Sequence, residues 1–223
     1  MGPGPMLAIS PHCDDAVFAC GDLLVARPGA VVVTIFAGSP ARSSPLTRWD
    51  AAAGFRQDDD VMAARRAEDR AALAVLGARP AWLAFRDAQY GASPAAAEIA
   101  HALDAVMARV SPATVVAPLG LFHSDHRLAH EACLLARPGR PPAAWLLYED
   151  AIYRRLDDLA GARLASLRAA GLRLAAVAPG GRASTRKRRA VGAYRSQLRA
   201  LAAPGHPGVD DVFAPERLWT VGR

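Results

Sequence analysis

Residues 6–15 of the chain read MLAISPHCDD, and this stretch decides the fold. Its first half, residues 6–10, is mostly apolar and predicts a short buried β-strand, and the residues after the two aspartates predict a helix. One histidine and two adjacent carboxylates therefore stand at a strand-to-helix turn. Open α/β sheets place their ligand sites at such turns, beyond the carboxyl ends of the strands.

Strand-like and helix-like segments alternate along the rest of the chain. Further strands are predicted at residues 31–36, 82–85, 114–117, 145–148 and 173–177, and helices at residues 16–26, 58–76, 95–110, 126–136 and 186–202. This alternation is typical of βαβ units and predicts an α/β fold, in which a mainly parallel sheet carries helices on both faces.

The long polar stretch at residues 38–57 interrupts this alternation. It contains Trp49 and Phe55, whose rings are costly to leave in water, so we interpret it as an ordered loop over a site and not as a linker. No repeat and no change in composition divides the chain, and a single domain over residues 1–223 is therefore expected.

The composition is that of an ordinary globular protein, with 52% hydrophobic and 22% charged residues among 223. No apolar run reaches the ~18 residues of a membrane span, and the first residues lack the pattern of a signal peptide. Three scattered cysteines predict neither a disulfide framework nor a Cys-x-x-Cys zinc site. We therefore expect a soluble cytoplasmic protein without a membrane partner.

The net charge of +6 raises the question of nucleic-acid binding. The arginines are spread along the chain, however, and the only dense basic run is residues 186–189. We interpret this run as a solvated helix face, so nucleic acid is not an expected partner. The sequence contains neither a glycine-rich dinucleotide-binding motif nor a P-loop motif, so it gives no support for a dinucleotide-binding or P-loop protein.

Four residues have the types and placement of a catalytic metal site. His12 and Asp15 are three residues apart across the start of a helix, so their side chains can point to one side of the turn. His126 follows the strand at residues 114–117 and reaches the same edge of the sheet. Two imidazoles and one carboxylate are suitable zinc ligands and leave one coordination position open for water. Asp14 is adjacent in sequence and can take a proton from that water.

A second polar cluster, HSDH, occupies residues 123–126. His123 held by Asp125 through the far ring nitrogen would have a fixed orientation and a stabilised imidazolium form. Such a histidine can stabilise an oxyanion and protonate a leaving amine. Either cluster alone could be structural, since Asp is a favoured helix cap. Together they predict attack of water on an amide.

The remaining histidines and Cys13 are weaker ligand alternatives. His130 lies four residues after His126 and would reach the same helix face, but a supporting or surface role is favoured. The side chain of Cys13 should point away from the side that its neighbours share. His101 and His206 lack useful neighbours and are expected at the surface.

The pair of motifs, PHCDD at residues 11–15 and HSDH at residues 123–126, resembles the PIG-L (LmbE-like) family of zinc-dependent N-acetylglucosaminyl deacetylases. Further similar segments are residues 49–50, 65–69, 76–77, 148–150 and 194–197. The resemblance implies a Rossmann-like three-layer α/β/α sandwich. Cys13, Ala16 and Ser124 depart from residues that are frequent in the family, but none of the departures removes a ligand.

The resemblance also implies roles for individual residues. Zn²⁺ would be bound by three of them, His12, Asp15 and His126. Asp14 would be the general base, and His123, oriented by Asp125, would be the electrophilic and acid partner. Arg66 (or Arg65) and Asp87 would hold sugar hydroxyls, and Trp49 of the 38–57 loop is expected to contact the substrate.

The predicted function is removal of an N-acetyl or other N-acyl group from a small-molecule amino-sugar conjugate by a zinc hydrolase. Fe²⁺ remains open as the native metal, and the sequence allows a homo-oligomer. The alternatives are an amidase of the same mechanism on a non-sugar amide, a non-haem iron enzyme, and a basic nucleic-acid-binding protein with a vestigial site. The spacing of His12 and Asp15 and the α/β pattern count against the iron enzyme.

Overall fold

A computed structural model describes residues 4–41, 43–137, 144–178, 180–206 and 208–222 of the chain. The strands of this part are β1 (Met6–Ser10), β2 (Val31–Thr34), β3 (Arg79–Trp82), β4 (Thr114–Pro118), β5 (Ala144–Tyr148), β6 (Leu174–Ala176) and β7 (Leu218–Val221). They form one sheet of order β3-β2-β1-β4-β5-β7-β6. Strands β1 to β5 are parallel, and β7 runs antiparallel to both β5 and β6.

The helices of the described part are α1 (Asp15–Val25), α2 (Arg48–Ala52), α3 (Val61–Leu76), α4 (Ala96–Val110), α5 (Ser124–Ala136), α6 (Leu159–Ala169), α7 (Thr185–Val191) and α8 (Arg195–Leu201). In this part of the chain no helix has both the length and the apolar character that crossing a bilayer requires.

Two hydrophobic cores separate the sheet from its helices. Along β1, Met6 and Ala8 join the core that α1, α3 and α7 cover, whereas Leu7 and Ile9 join the core under α4, α5 and α6. Side chains of a strand alternate between the two faces, and a strand that is buried on both faces is therefore apolar throughout. The predicted α/β/α sandwich with a mainly parallel sheet is confirmed.

Several predicted element boundaries were wrong. The third strand is Arg79–Trp82 and not residues 82–85, because an exposed arginine and a proline begin it at the sheet edge, where proline is tolerated. The helix predicted at residues 186–202 is two helices, α7 and α8. Helix α6 and strand β7 were not predicted, and the stretch at residues 38–57 contains the short helix α2.

The basic run at residues 186–189 is a solvated face only in part: its three arginines are exposed, but Lys187 is not. Lys187 is fully buried and its Nζ lies 2.8 Å from Glu216 Oε1. Arg186 donates to the carbonyl of Val75 at the end of α3, and the guanidinium of Arg188 lies 4.8 Å above the ring of Phe213. Three of the four cations therefore hold α7 against the rest of the molecule.

Candidate active site

A cleft opens beyond the carboxyl ends of β1 and β4, the neighbouring strands at which the order of the sheet reverses. Residues that line it come from seven different parts of the chain and include His12, Asp14, Asp15, Trp49, Arg65, Asp87, His123, His126, Tyr153 and Gln197. The turn after β1 supplies the first three, and the loop between β4 and α5 supplies His123. The two polar clusters of the sequence therefore share one cleft.

His12, Asp15 and His126 converge in this cleft. One carboxylate oxygen, Asp15 Oδ2, lies 3.1 Å from His12 Nδ1 and 3.3 Å from His126 Nε2. Potential ligand atoms of the three side chains all lie within 4.8 Å of one another. Asp15 is held in place by the backbone amide of His12, which donates to the same oxygen at 2.7 Å.

Two further carboxylates fix the orientation of the imidazole rings. His12 Nε2 lies 3.1 Å from Asp125 Oδ2, and His126 Nδ1 lies 2.6 Å from Asp150 Oδ1. A carboxylate accepts hydrogen bonds and does not donate them, so each ring carries a proton on the nitrogen that faces its carboxylate. The other nitrogen of each ring is turned toward Asp15, which is the usual arrangement of histidines that bind metals.

The charges of the cluster also suit a divalent cation. Burial lowers the pKa of His126, but the neighbouring carboxylates of Asp15 and Asp150 outweigh it and raise this pKa to about 9. Burial raises the pKa of Asp15, but the two histidines outweigh it and hold this pKa well below its usual value. Without a metal, protons on the histidines balance the charge of the carboxylates, and a divalent cation bound at the same nitrogen and oxygen atoms would balance it in their place. The set of donor atoms therefore fits a metal.

Asp14 stands beside this group, and its carboxylate is not engaged in capping α1. It occupies the residue that precedes α1, but its side chain makes no capping hydrogen bond. The side chain lines the cleft instead. Burial, together with the charge of Asp15, raises the pKa of Asp14 to about 7. The capping role that the sequence left open for Asp14 is therefore not the one in the structure.

His123 lies in the cleft but is not held by Asp125 as predicted. His123 Nδ1 accepts a hydrogen bond of 3.2 Å from the backbone amide of Asp125, so the ring caps the start of α5. The Asp125 carboxylate turns to His12 and also accepts from the amide of Ala88 at 3.1 Å. Burial and the nearby His12 and His126 lower the pKa of His123. The neutral ring therefore carries its proton on Nε2.

Two of the three residues predicted to contact substrate line the cleft, and one does not. Trp49 lines it and donates from Nε1 to Gln197 Oε1 at 3.0 Å, and Asp87 lies 3.7 Å from His12 Nε2. Arg66 lies outside, where it donates to the carbonyl of Ala37. Its neighbour Arg65 lines the cleft, buried against Asp50 at 2.6 Å.

The weaker ligand alternatives do not join the cluster. Among the described residues, the groups with metal-ligand geometry include neither His130 nor Cys13. His130 is buried, its Nδ1 donates to the carbonyl of Pro118, and burial lowers its pKa to about 4. Cys13 is buried in the core between the sheet and α1.

Three residues of the site escaped the residue-by-residue reasoning. Asp150 is the second residue after β5, and a carboxylate at the end of a parallel strand is a usable indication of a site residue. Tyr153 packs its ring against His126 at 5.2 Å between centroids, and Gln197 reaches the cleft from α8. Gln197 lies in the family-like segment 194–197, which assigned it no role, and no pattern in the sequence marks Tyr153.

A Rossmann-like sandwich with a partly buried His-Asp-His group, and with a further carboxylate beside it at the ends of β1 and β4, is the arrangement of a metal-dependent hydrolase. Residues 7–136 match the family model PIG-L, described as GlcNAc-PI de-N-acetylase. The chain belongs to the PIG-L family. This confirms the predicted family and the predicted class of enzyme, a metal-dependent N-deacetylase.

Solved structures of deacetylases resemble most of the chain. An A40926 pseudoaglycone deacetylase is 29% identical with a TM-score of 0.76, over 98% of this chain and 97% of that one. A zinc-inhibited form of teicoplanin deacetylase is 22% identical with a TM-score of 0.79, over 98% of both chains. N,N′-diacetylchitobiose deacetylase from Pyrococcus horikoshii is 20% identical with a TM-score of 0.53, over 87% and 70%. No curated protein sequence matches the chain.

Proposed function

We propose that the protein hydrolyses the N-acyl amide of a small-molecule amino-sugar conjugate with Zn²⁺ bound by His12, Asp15 and His126. The observation that carries this proposal is the convergence of these three side chains on one point beside the carboxylate of Asp14, which lines the same cleft. Zinc is favoured because two imidazoles and one carboxylate are a common set of catalytic zinc ligands, while Fe²⁺ accepts the same set.

The residues of the cleft divide the reaction between them. When bound, a divalent cation supplies a Lewis acid that polarises the amide carbonyl and acidifies water. Asp14 takes a proton from the attacking water and delivers it to the amine as the C–N bond breaks. It thereby replaces His123 in the acid role expected from the sequence, because the pKa of His123 is lowered and its ring is neutral. His123 donates from Nε2 to the oxyanion, since its Nδ1 is occupied as an acceptor. Acetate and a free amine are the products.

The side chains that line the cleft favour a sugar-containing substrate. Asp87 and the buried Arg65 offer an acceptor and a donor for sugar hydroxyls, and Trp49 offers an aromatic surface. The relative at 29% identity is named for an antibiotic pseudoaglycone, which favours a glycosylated natural product or a similar conjugate. We place the enzyme in the cytoplasm as one domain, residues 1–223, which agrees with three buried free cysteines.

Acetate release from a panel of N-acetylglucosamine conjugates, with a matching panel of non-sugar amides, tests the proposal. We expect release from at least one sugar conjugate, and Asp14→Asn should lower kcat by about 10²–10⁴-fold while the metal stays bound. Asp60→Asn, a matched change at an exposed helix cap, should leave kcat unchanged. Release from non-sugar amides alone would favour the amidase alternative, and full turnover by Asp14→Asn would remove Asp14 from the reaction.

A further inference from the structure

We infer that Asp150 is a positioning residue that fixes the metal-binding nitrogen of His126 and, with the same carboxylate, the loop that presents His123. The inference rests on the proposed metal site. It concerns a residue that touches neither the substrate nor the reacting atoms.

Both oxygens of Asp150 are engaged, and they face different parts of the site. Oδ1 lies 2.6 Å from Nδ1 of His126, and Oδ2 accepts from the backbone amides of Gly120 and Leu121, each at 2.9 Å. Asp150 is 1% exposed, so water does not compete for these contacts. Hydrogen bonds to a buried charged group are strong and geometrically demanding, which makes the carboxylate a rigid link.

The loop that Asp150 holds has an unusual backbone. Gly120 and Phe122 have φ angles of 80° and 55°, both in the left-handed region, which is costly for a bulky residue such as Phe122. A Cβ at Gly120 would lie 2.8 Å from Cβ of His130, so the loop also has no room to shift inward. The two amide contacts with Asp150 therefore help to keep this path, which ends at His123.

The chemistry of a carboxylate decides which nitrogen of His126 is free. Because Asp150 Oδ1 only accepts, His126 keeps a proton on Nδ1, so Nε2, which faces Asp15 and the metal position, is the nitrogen whose lone pair can bind a metal. Asparagine at position 150 could still accept from Gly120 and Leu121 through its oxygen. Its NH₂ group would then donate to Nδ1, which would favour the ring proton on Nε2, where it competes with the metal.

The test compares metal affinity in Asp150→Asn and in Glu149→Gln, using Zn²⁺ and Co²⁺ in competition with a chelator. Glu149 is the adjacent buried carboxylate, and it accepts from Trp219 Nε1 at 3.0 Å, away from the cleft. We expect Asp150→Asn to weaken metal binding about 10–100-fold and to shift the visible absorption of the Co²⁺ form, and Glu149→Gln to change neither. Equal affinities for wild type and Asp150→Asn would overturn the inference.

Two further outcomes keep the inference separate from the proposed function. If Asp150→Asn does not fold, the pair Asp150→Glu and Asp150→Gln isolates the charge, and the glutamate variant should bind metal at least about tenfold more tightly. Equal affinities of that pair would again overturn the inference. If wild type itself binds no stoichiometric metal, the proposed function fails, whereas tight binding by wild type and by Asp150→Asn alike refutes only the role of Asp150.

Discussion

Replacing Glu216 with glutamine should destabilise the fold more than replacing its partner, Lys187, with methionine. Helix α1 is kinked at Cys20, where φ is −140° and ψ is 32°. The amides of Asp22 and Leu23 beyond the kink donate to the Glu216 carboxylate at 2.7 and 3.0 Å, and Lys187 Nζ lies 2.8 Å from it. The Glu216 carboxylate thus has three hydrogen-bond partners. Among the described residues, the buried ammonium of Lys187 has Glu216 as its only hydrogen-bond partner.

The magnitudes follow from this asymmetry. Glu216→Gln leaves a buried cation without a counter-charge, which costs about 3–5 kcal/mol. Lys187→Met leaves the carboxylate with its two amide donors at the start of a helical segment, so we expect a loss of about 1–3 kcal/mol. At about 2–4 °C per kcal/mol for a chain of this size, Glu216→Gln should lower Tm by about 6–20 °C.

The assay is urea and thermal unfolding of the metal-free protein, followed by circular dichroism. Arg189→Met is the matched control, because Arg189 belongs to the same basic run but is exposed, and its loss should stay within about 0.5 kcal/mol. The reasoning is refuted if Lys187→Met costs more than Glu216→Gln, or if Glu216→Gln is no more destabilising than Arg189→Met.

Three further outcomes are expected. Arg65→Met should lower kcat/KM at least about tenfold and Arg66→Met should not, because only Arg65 lines the cleft; equal effects in steady-state assays would contradict the placement. Burial raises the pKa of Asp69 to about 6, so the stability that its protonation contributes is complete below about pH 4 and is lost as the pH rises through 6. The unfolding free energy of wild type should therefore be higher at about pH 4.5 than at about pH 8, and Asp69→Asn should reduce this difference by about 2 kcal/mol. A difference that Asp69→Asn leaves unchanged would count against this assignment. Asp125→Asn should weaken metal binding about tenfold or more, because Asp125 orients His12. If metal affinity is unaltered but turnover is lost, Asp125 acts on His123 instead, as the sequence predicted.

The sequence predicted the sheet and the convergence of its two polar clusters for simple physical reasons. Strands that are buried on both faces are mainly apolar, and β1 and β4 are apolar except for Ser10 and Thr114. Carboxyl ends of parallel strands meet at one edge, so the residues after these two strands had to lie close together. The edge strand β3 lacked this pattern, since Arg79 and Pro80 are tolerated only where one side of the strand is unpaired.

The partners of the site residues could not be predicted in the same way. Spacing alone places Asp125 next to His123 in sequence, but its carboxylate turns to His12, which is 113 residues away. Likewise Arg65 and Arg66 are neighbours that point in different directions on α3, and only the packing of the cleft decides which one lines it. Lys187 looked solvated within its basic run because its buried partner, Glu216, lies 29 residues further on.

The central claim is that one metal ion, bound by His12, Asp15 and His126, is required for removal of the acyl group. The most direct measurement is a titration of metal-free protein with Zn²⁺ while acetate release from an accepted N-acetylglucosamine conjugate is followed. The account predicts no release without metal and a linear rise that breaks at about one equivalent per chain, with His126→Ala showing no such break. Acetate release at full rate by the chelated protein would contradict it.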